Sequence, residues 1–172
     1  FLLGDVFNLI AVQAGYTLSS SDITTFNSFG EVGIYLTQEQ STSSLLDLLA
    51  QSVGAYWYFD TPTITRLKQL VAPASPTIFI EDYQIVDISR EKTGAGSNGI
   101  PIYEVKLKAD KVETVQTDVA AGAADLFRAR VGIQYREAIA TSSAVRVRHP
   151  LSEELSIETA LRTLSAADTQ AT

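Results

Sequence analysis

The chain has 172 residues, 45% of them hydrophobic, with no cysteine and no methionine. That length buries about 70% of the unfolded surface without staples and makes one domain or two small ones, while the lack of cysteine excludes disulfides, zinc–thiolate sites and thiol catalysis. The net charge of −7 is uneven: residues 1–60 hold six acids and no Lys or Arg, the remainder fourteen acids and thirteen bases, so the acidic part repels phosphate and is no partner for duplex DNA.

Leu2, Leu3, Val6, Phe7, Leu9, Ile10 and Ala14 recur at helical spacing, which predicts an amphipathic helix over 2–14, ended by Gly15. Ser19, Ser20, Ser21 and Asp22 are N-cap types and predict a short helix near 22–27. Gly30 and Gly33 bracket a turn before a short strand over 34–36. Ser41, Thr42 and Ser43 offer caps for a third helix, with Leu45, Leu46, Leu49 and Val53 on one stripe and Asp47 and Gln51 turned outward. Gly54 ends it.

Four consecutive aromatics come next: Tyr56, Trp57, Tyr58 and Phe59. Alternation would signal a half-wet strand; here both faces are apolar, which predicts a strand covered on both sides in a layered core. Tyr56 and Tyr58 share one face, Trp57 and Phe59 the other. A face left open would be a subunit interface and not a pocket, because large exposed aromatic patches rarely stay bare. The four aromatics are therefore the candidate core or interface residues.

Asp60-Thr61-Pro62-Thr63 reads as a turn, and a returning strand over 64–71 completes a hairpin. Further strands are expected over 77–80 and 84–91, then a mobile glycine-rich connection over 92–99. Tyr103, Val105 and Leu107 alternate with Glu104, Lys106 and Lys108, the signature of a half-exposed strand. Residues 118–130 fit a helix or a loop. Strands are expected over 133–140, 144–148 and 156–161, and a helix start near Ser165, with Asp168 at a capping-box position. No apolar run approaches membrane-spanning length, and no basic segment leads into an apolar one. The opening at Phe1 inside an apolar pattern leads us to expect a portion of a longer protein.

These elements add up to an α+β fold, mostly antiparallel sheet, with a few helices packed at the N-terminal side. Residues 1–115 form an α+β domain around the helix–strand hairpin. Residues 116–172 are a mainly β continuation, either of that domain or of a second, interrupted one.

The candidate chemical motifs are weak. Gly94-Ala95-Gly96-Ser97-Asn98-Gly99 matches the dinucleotide glycine pattern, but such a loop must open a helix, and here Ile100-Pro101 and a strand come after it. His149 is the single histidine and precedes Pro150; no G-x-S-x-G elbow accompanies it. Glu81-Asp82 reads as a polar turn and Glu153-Glu154 as a solvated face, since adjacent strand residues point to opposite sides and cannot flank one bond. Arg128, Arg130, Arg136, Arg146 and Arg148 lack the interleaved aromatics of a nucleic-acid surface and read as solvated strand faces or subunit salt bridges. No catalytic residue, cofactor or metal ligand is expected, and the chain is not read as an enzyme.

The order of parts carries a resemblance. Ala14-Gly15-Tyr16 ends a helix, Gly33-Ile34-Tyr35-Leu36 is a short strand, and Ser44 to Asp60 runs SLLDLLAQSVGAYWYFD as a leucine helix and aromatic strand. Then come Arg66-Leu67-Lys68-Gln69-Leu70, Tyr135-Arg136-Glu137-Ala138 and Val147-Arg148-His149-Pro150-Leu151. This resembles the middle portion of bacteriophage and prophage tail structural proteins of the hub or baseplate kind. Those usually have a glycine in the turn after Phe-Asp, where this chain has Thr61-Pro62-Thr63. The resemblance implies a virion tail component, made in the bacterial cytoplasm, that contacts copies of itself and other tail proteins, with no small-molecule substrate and no nucleic acid. It supplies no catalytic residue. The alternatives are a tail-associated receptor- or carbohydrate-binding module and a fragment of a cell-wall hydrolase.

Overall fold

The computed structural model describes residues 1–71, 80–87 and 100–171. The element order among them is α1 (Leu3–Gln13), β1 (Thr17–Leu18), α2 (Ser20–Asn27), α3 (Thr42–Gln51), β2 (Ala55–Phe59), β3 (Ile64–Gln69), β4 (Glu104–Ala109), α4 (Asp125–Val131), β5 (Arg136–Thr141), α5 (Ser143–Arg148), β6 (Glu154–Glu158) and α6 (Leu164–Ala171). The fold is α+β. The strands form two three-stranded sheets, ordered β1-β3-β2 and β5-β4-β6. Each sheet is mixed and not purely antiparallel: β1 runs parallel to β3 and β6 parallel to β4, while β2 and β5 are antiparallel to the middle strands. Three of the helices lie in the last third of the chain, so packing helices are not confined to the N-terminal side.

The apolar stripes decide where the helices sit. Leu3 and Phe7 of α1 and Leu46, Leu49 and Ala50 of α3 are buried in one interior with Leu67 of β3. The same interior takes in Leu107 and Ala109 of β4, Ala138 of β5, Leu161 and Ala167. Side chains from both sheets therefore share one apolar core. At Gly4 a Cβ would stand 2.5 Å from the Ile23 carbonyl oxygen, so only glycine lets α1 and α2 approach this closely. Ser41 caps α3 through its hydroxyl, which accepts from the Ser44 N–H at 3.2 Å. Gly54 then takes φ +59°, the left-handed turn that a residue with a Cβ resists, and β2 begins one residue later.

Several expected elements are absent or different. Residues 34–36 form no strand; the chain makes single bridges instead, Glu31 to Leu2 and Val32 to Leu161. Residues 84–87 are not a strand, because Asp82–Gln84 is a single 3-10 turn capped by the Glu81 side chain; 88–91 lie outside the described residues, as do 77–79 and the glycine-rich 92–99. The ambiguous 118–130 stretch is a loop leading into α4. Residues 144–148 are the helix α5 and not a strand: the Ser142 hydroxyl accepts from the Val145 N–H, and this cap outweighs the short Val-Arg alternation. α6 starts one residue before Ser165, with the Thr163 hydroxyl accepting from the Ala166 N–H, so Thr163 and not Ser165 serves the helix start. No helix among the described residues is long and apolar enough to cross a membrane.

Candidate functional site: an open aromatic edge

β2 holds all four candidate aromatics, Tyr56 to Phe59, with Ala55 before them. In the hairpin Tyr56 pairs with Lys68, Trp57 with Leu67 and Tyr58 with Arg66. Trp57 and Phe59 turn toward α1 and α3. Trp57 meets the Phe7 ring edge-on at 6.4 Å and the Phe59 ring at 5.4 Å, and its indole N–H donates to the Asp47 carboxylate at 2.7 Å. Phe59 also leans on Tyr16 at 4.8 Å. This side is half-buried.

No element among the described residues covers the opposite side. Tyr56 and Tyr58 stack on each other with centroids 6.1 Å apart, yet they are 48% and 40% exposed; on the Trp57 side the strand-end Phe59 is exposed as well. The expected two-sided cover is therefore wrong for this strand. An unbroken apolar run does not distinguish a central strand from an edge strand, and β2 lies at the edge of its sheet among the described residues.

The free edge is also a consequence of the register. The Asp60 N–H donates to the Ile64 carbonyl and the Leu70 N–H to that of Gly54. In an antiparallel pair the bonded residues alternate, so Tyr56 and Tyr58 face β3 with their backbone groups. Ala55, Trp57 and Phe59 then direct their N–H and C=O outward. The strand carries no charge and no proline, the usual guards of such an edge.

β3, which supports this edge, is fixed by a buried acid. Asp22, at the first turn of α2, is 4% exposed and accepts from Arg66 Nε at 2.8 Å, from the Leu67 N–H at 3.0 Å and from Lys68 Nζ at 3.4 Å. Two-residue β1 stops short of Leu67, and the carboxylate completes the ladder there. Burial by itself raises the Asp22 carboxyl, but the Arg66 and Leu67 bonds and the Lys68 charge outweigh it and hold the group below the usual carboxylate range. One of the six N-terminal acids thus leaves the surface; Asp5, Glu31, Glu39, Asp47 and Asp60 remain exposed.

The other motifs fall elsewhere. His149 sits at the end of α5, its N–H donating to the Val145 carbonyl. Residues 94–99 of the glycine motif lie outside the described residues, and the next regular element is a strand, β4. Arg128 and Arg130 are on α4, not on a strand face; Arg130 binds the Asp110 carboxylate at 2.5 Å within the same molecule. Glu154 is likewise not a free solvated acid: it accepts from Lys106 Nζ at 2.5 Å and from the Tyr103 hydroxyl at 2.9 Å. The Lys106 bond lowers the Glu154 carboxyl, and the same contact raises Lys106. Among the described residues no group of three or more His, Asp and Glu has metal-binding geometry.

No protein-family model matches the chain, and no curated protein matches it.

Proposed function

We propose that this chain is a structural component of a bacteriophage or prophage virion tail, part of a hub or baseplate, that works by subunit contact and not by catalysis. The resemblance of its leucine helix and aromatic strand to tail proteins suggests the tail. The single observation that supports contact as the mode of action is the open aromatic edge of β2. Bare aromatic surface beside unpaired backbone groups is costly to leave in water and favourable to bury against another subunit. Two exposed acids beside this strand, Asp47 and Asp60, would steer basic partner surfaces toward it. In this reading the protein is a virion component made in the bacterial cytoplasm, and it meets copies of itself and other tail proteins.

The test is sedimentation of the purified chain against Tyr56→Ser/Tyr58→Ser. Both side chains are exposed, so the variant keeps its core. Wild type should form larger particles than the variant as concentration rises. Identical sedimentation of the two would count against the reading.

A carbohydrate- or receptor-binding module is the second reading, favoured by one observation, the exposure of the stacked Tyr56–Tyr58 pair. Aromatic faces also stack on sugar rings. Titration with soluble peptidoglycan fragments separates the two: saturable binding lost in Tyr56→Ser/Tyr58→Ser, without any change in particle size, would favour the second.

A further inference from the structure

Two surfaces that include no residue of β2 are complementary in charge. The first is an apolar groove of about 730 Å³ between α1 and residues 31–36, lined by Val6, Leu9, Ile10, Ile34 and Leu36. Its rim carries Asp5 and Glu31, with Arg162 lying across Gly33. The volume is in the range of clefts that hold several apolar side chains. The second surface is α5 and the turn after it. Val147 and Leu151 are 82% and 78% exposed there, beside Arg146 and Arg148. Two bare aliphatic side chains beside cations suit an apolar groove whose rim sets two acids against the single cation Arg162.

β4 keeps the two surfaces apart. At its start the Ser142 N–H donates to the Tyr103 carbonyl, and Arg146 stacks over the Tyr103 ring at 4.4 Å. At its far end the Asp110 N–H donates to the Leu161 carbonyl, and the Arg162 N–H to that of Glu31. Six strand residues span roughly 20 Å at about 3.3 Å each. The groove and α5 thus lie at opposite ends of one strand, and neither surface meets its complement within one molecule.

We propose that the groove takes the α5–Leu151 segment of a second copy, head to tail. The proposal rests on the reading of the chain as an assembly component but not on the β2 face. A contact between two different surfaces repeats, closing a ring where the rotation allows and otherwise extending a filament. Burial of Val147 and Leu151 drives it, and Arg148 sets its polarity against Asp5 and Glu31, while Arg146 stays on its own Tyr103 ring.

The experiment uses the Tyr56→Ser/Tyr58→Ser background, where β2 contacts are silent, and reads sedimentation velocity. That protein should still associate with concentration. Adding Leu9→Glu, at a residue 63% exposed, or Val147→Glu should each give monomers. An equimolar mixture of the two should give dimers and nothing larger, because one retains the segment and the other the groove. Leu36→Glu and Leu151→Glu form a second pair should either first variant misfold by circular dichroism. If the background is monomeric where wild type associates, the head-to-tail contact is wrong and the β2 reading stands. If Leu9→Glu still associates, the groove is not the contact. If wild type never associates, both ideas fall.

Discussion

The two sheets guard their edges differently. In the second sheet both outer strands carry charge: Glu154 of β6 holds Lys106 of the middle strand, Glu158 of β6 accepts from the Tyr135 hydroxyl just before β5, and Arg136 of β5 approaches Asp110, just past β4, at 3.8 Å. In the first sheet the charge is drawn inward. Asp22, Arg66 and Lys68 lock the inner side of β3, and the outer strand β2 is left neutral and aromatic. Charged edges resist adding a strand, and a neutral edge invites one. Edge charge, more than strand count, thus separates the two sheets: one outer pair is charged, and β2 is left without that guard.

The largest effect that would sharpen this contrast is at Asp22. Asp22→Ala strands the Leu67 N–H, leaves Lys68 without its carboxylate and leaves Arg66 with only the longer contact to Asp60 at 3.6 Å. Because Arg66 and Lys68 keep 25% and 42% of their side-chain surface in water, we expect a loss of about 2–4 kcal/mol, below the full cost of a broken buried pair. Urea unfolding measures it. Lys106→Ala, the corresponding change in the second sheet, removes the partly buried cation between Glu104 and Glu154 but strands no buried backbone N–H, and should shift the midpoint less. Equal losses would break the comparison.

The same carboxylate gives a pH signature. Its folded pKa is depressed, so its contribution is fully present above the ordinary unfolded value of about 3.9 and is lost as pH falls through the lower folded one. Acid unfolding of wild type should therefore steepen below about pH 4, and Asp22→Asn should flatten that limb. An unchanged limb in Asp22→Asn would assign acid sensitivity to other groups.

A smaller loss is expected where the two halves of the chain meet. The buried Ser52 hydroxyl accepts from the Ala160 N–H at 2.8 Å and donates to the Leu48 carbonyl at 2.7 Å. Ser52→Ala should cost about 1–2 kcal/mol, with one cooperative transition retained in urea. Two separate transitions would mean that the sheets unfold independently.

Much of the first sheet is legible in the sequence because its signals are local. The α1 and α3 stripes, the Ser41 cap, Gly54 and the Asp60–Thr63 turn each act within a few residues. The parity of Tyr56 with Tyr58 and of Trp57 with Phe59 comes from strand geometry alone. Whether anything covers the tyrosines does not, since that depends on which elements pack where. In the sequence Asp22 reads as a surface acid and helix-start residue; its partners lie more than forty residues away, and no local pattern joins them. The Ser142 and Ser143 cap types before Ala144 are a signal for α5, but two valines at alternating positions read as a strand.

The most direct test of the open-edge claim is amide hydrogen exchange at Trp57 and Phe59, measured at low and high protein concentration. The account predicts fast exchange in the dilute protein, strong slowing on association, and no comparable change along β6. Protection at Trp57 and Phe59 already complete in the monomer, or slowing confined to β6, would contradict it.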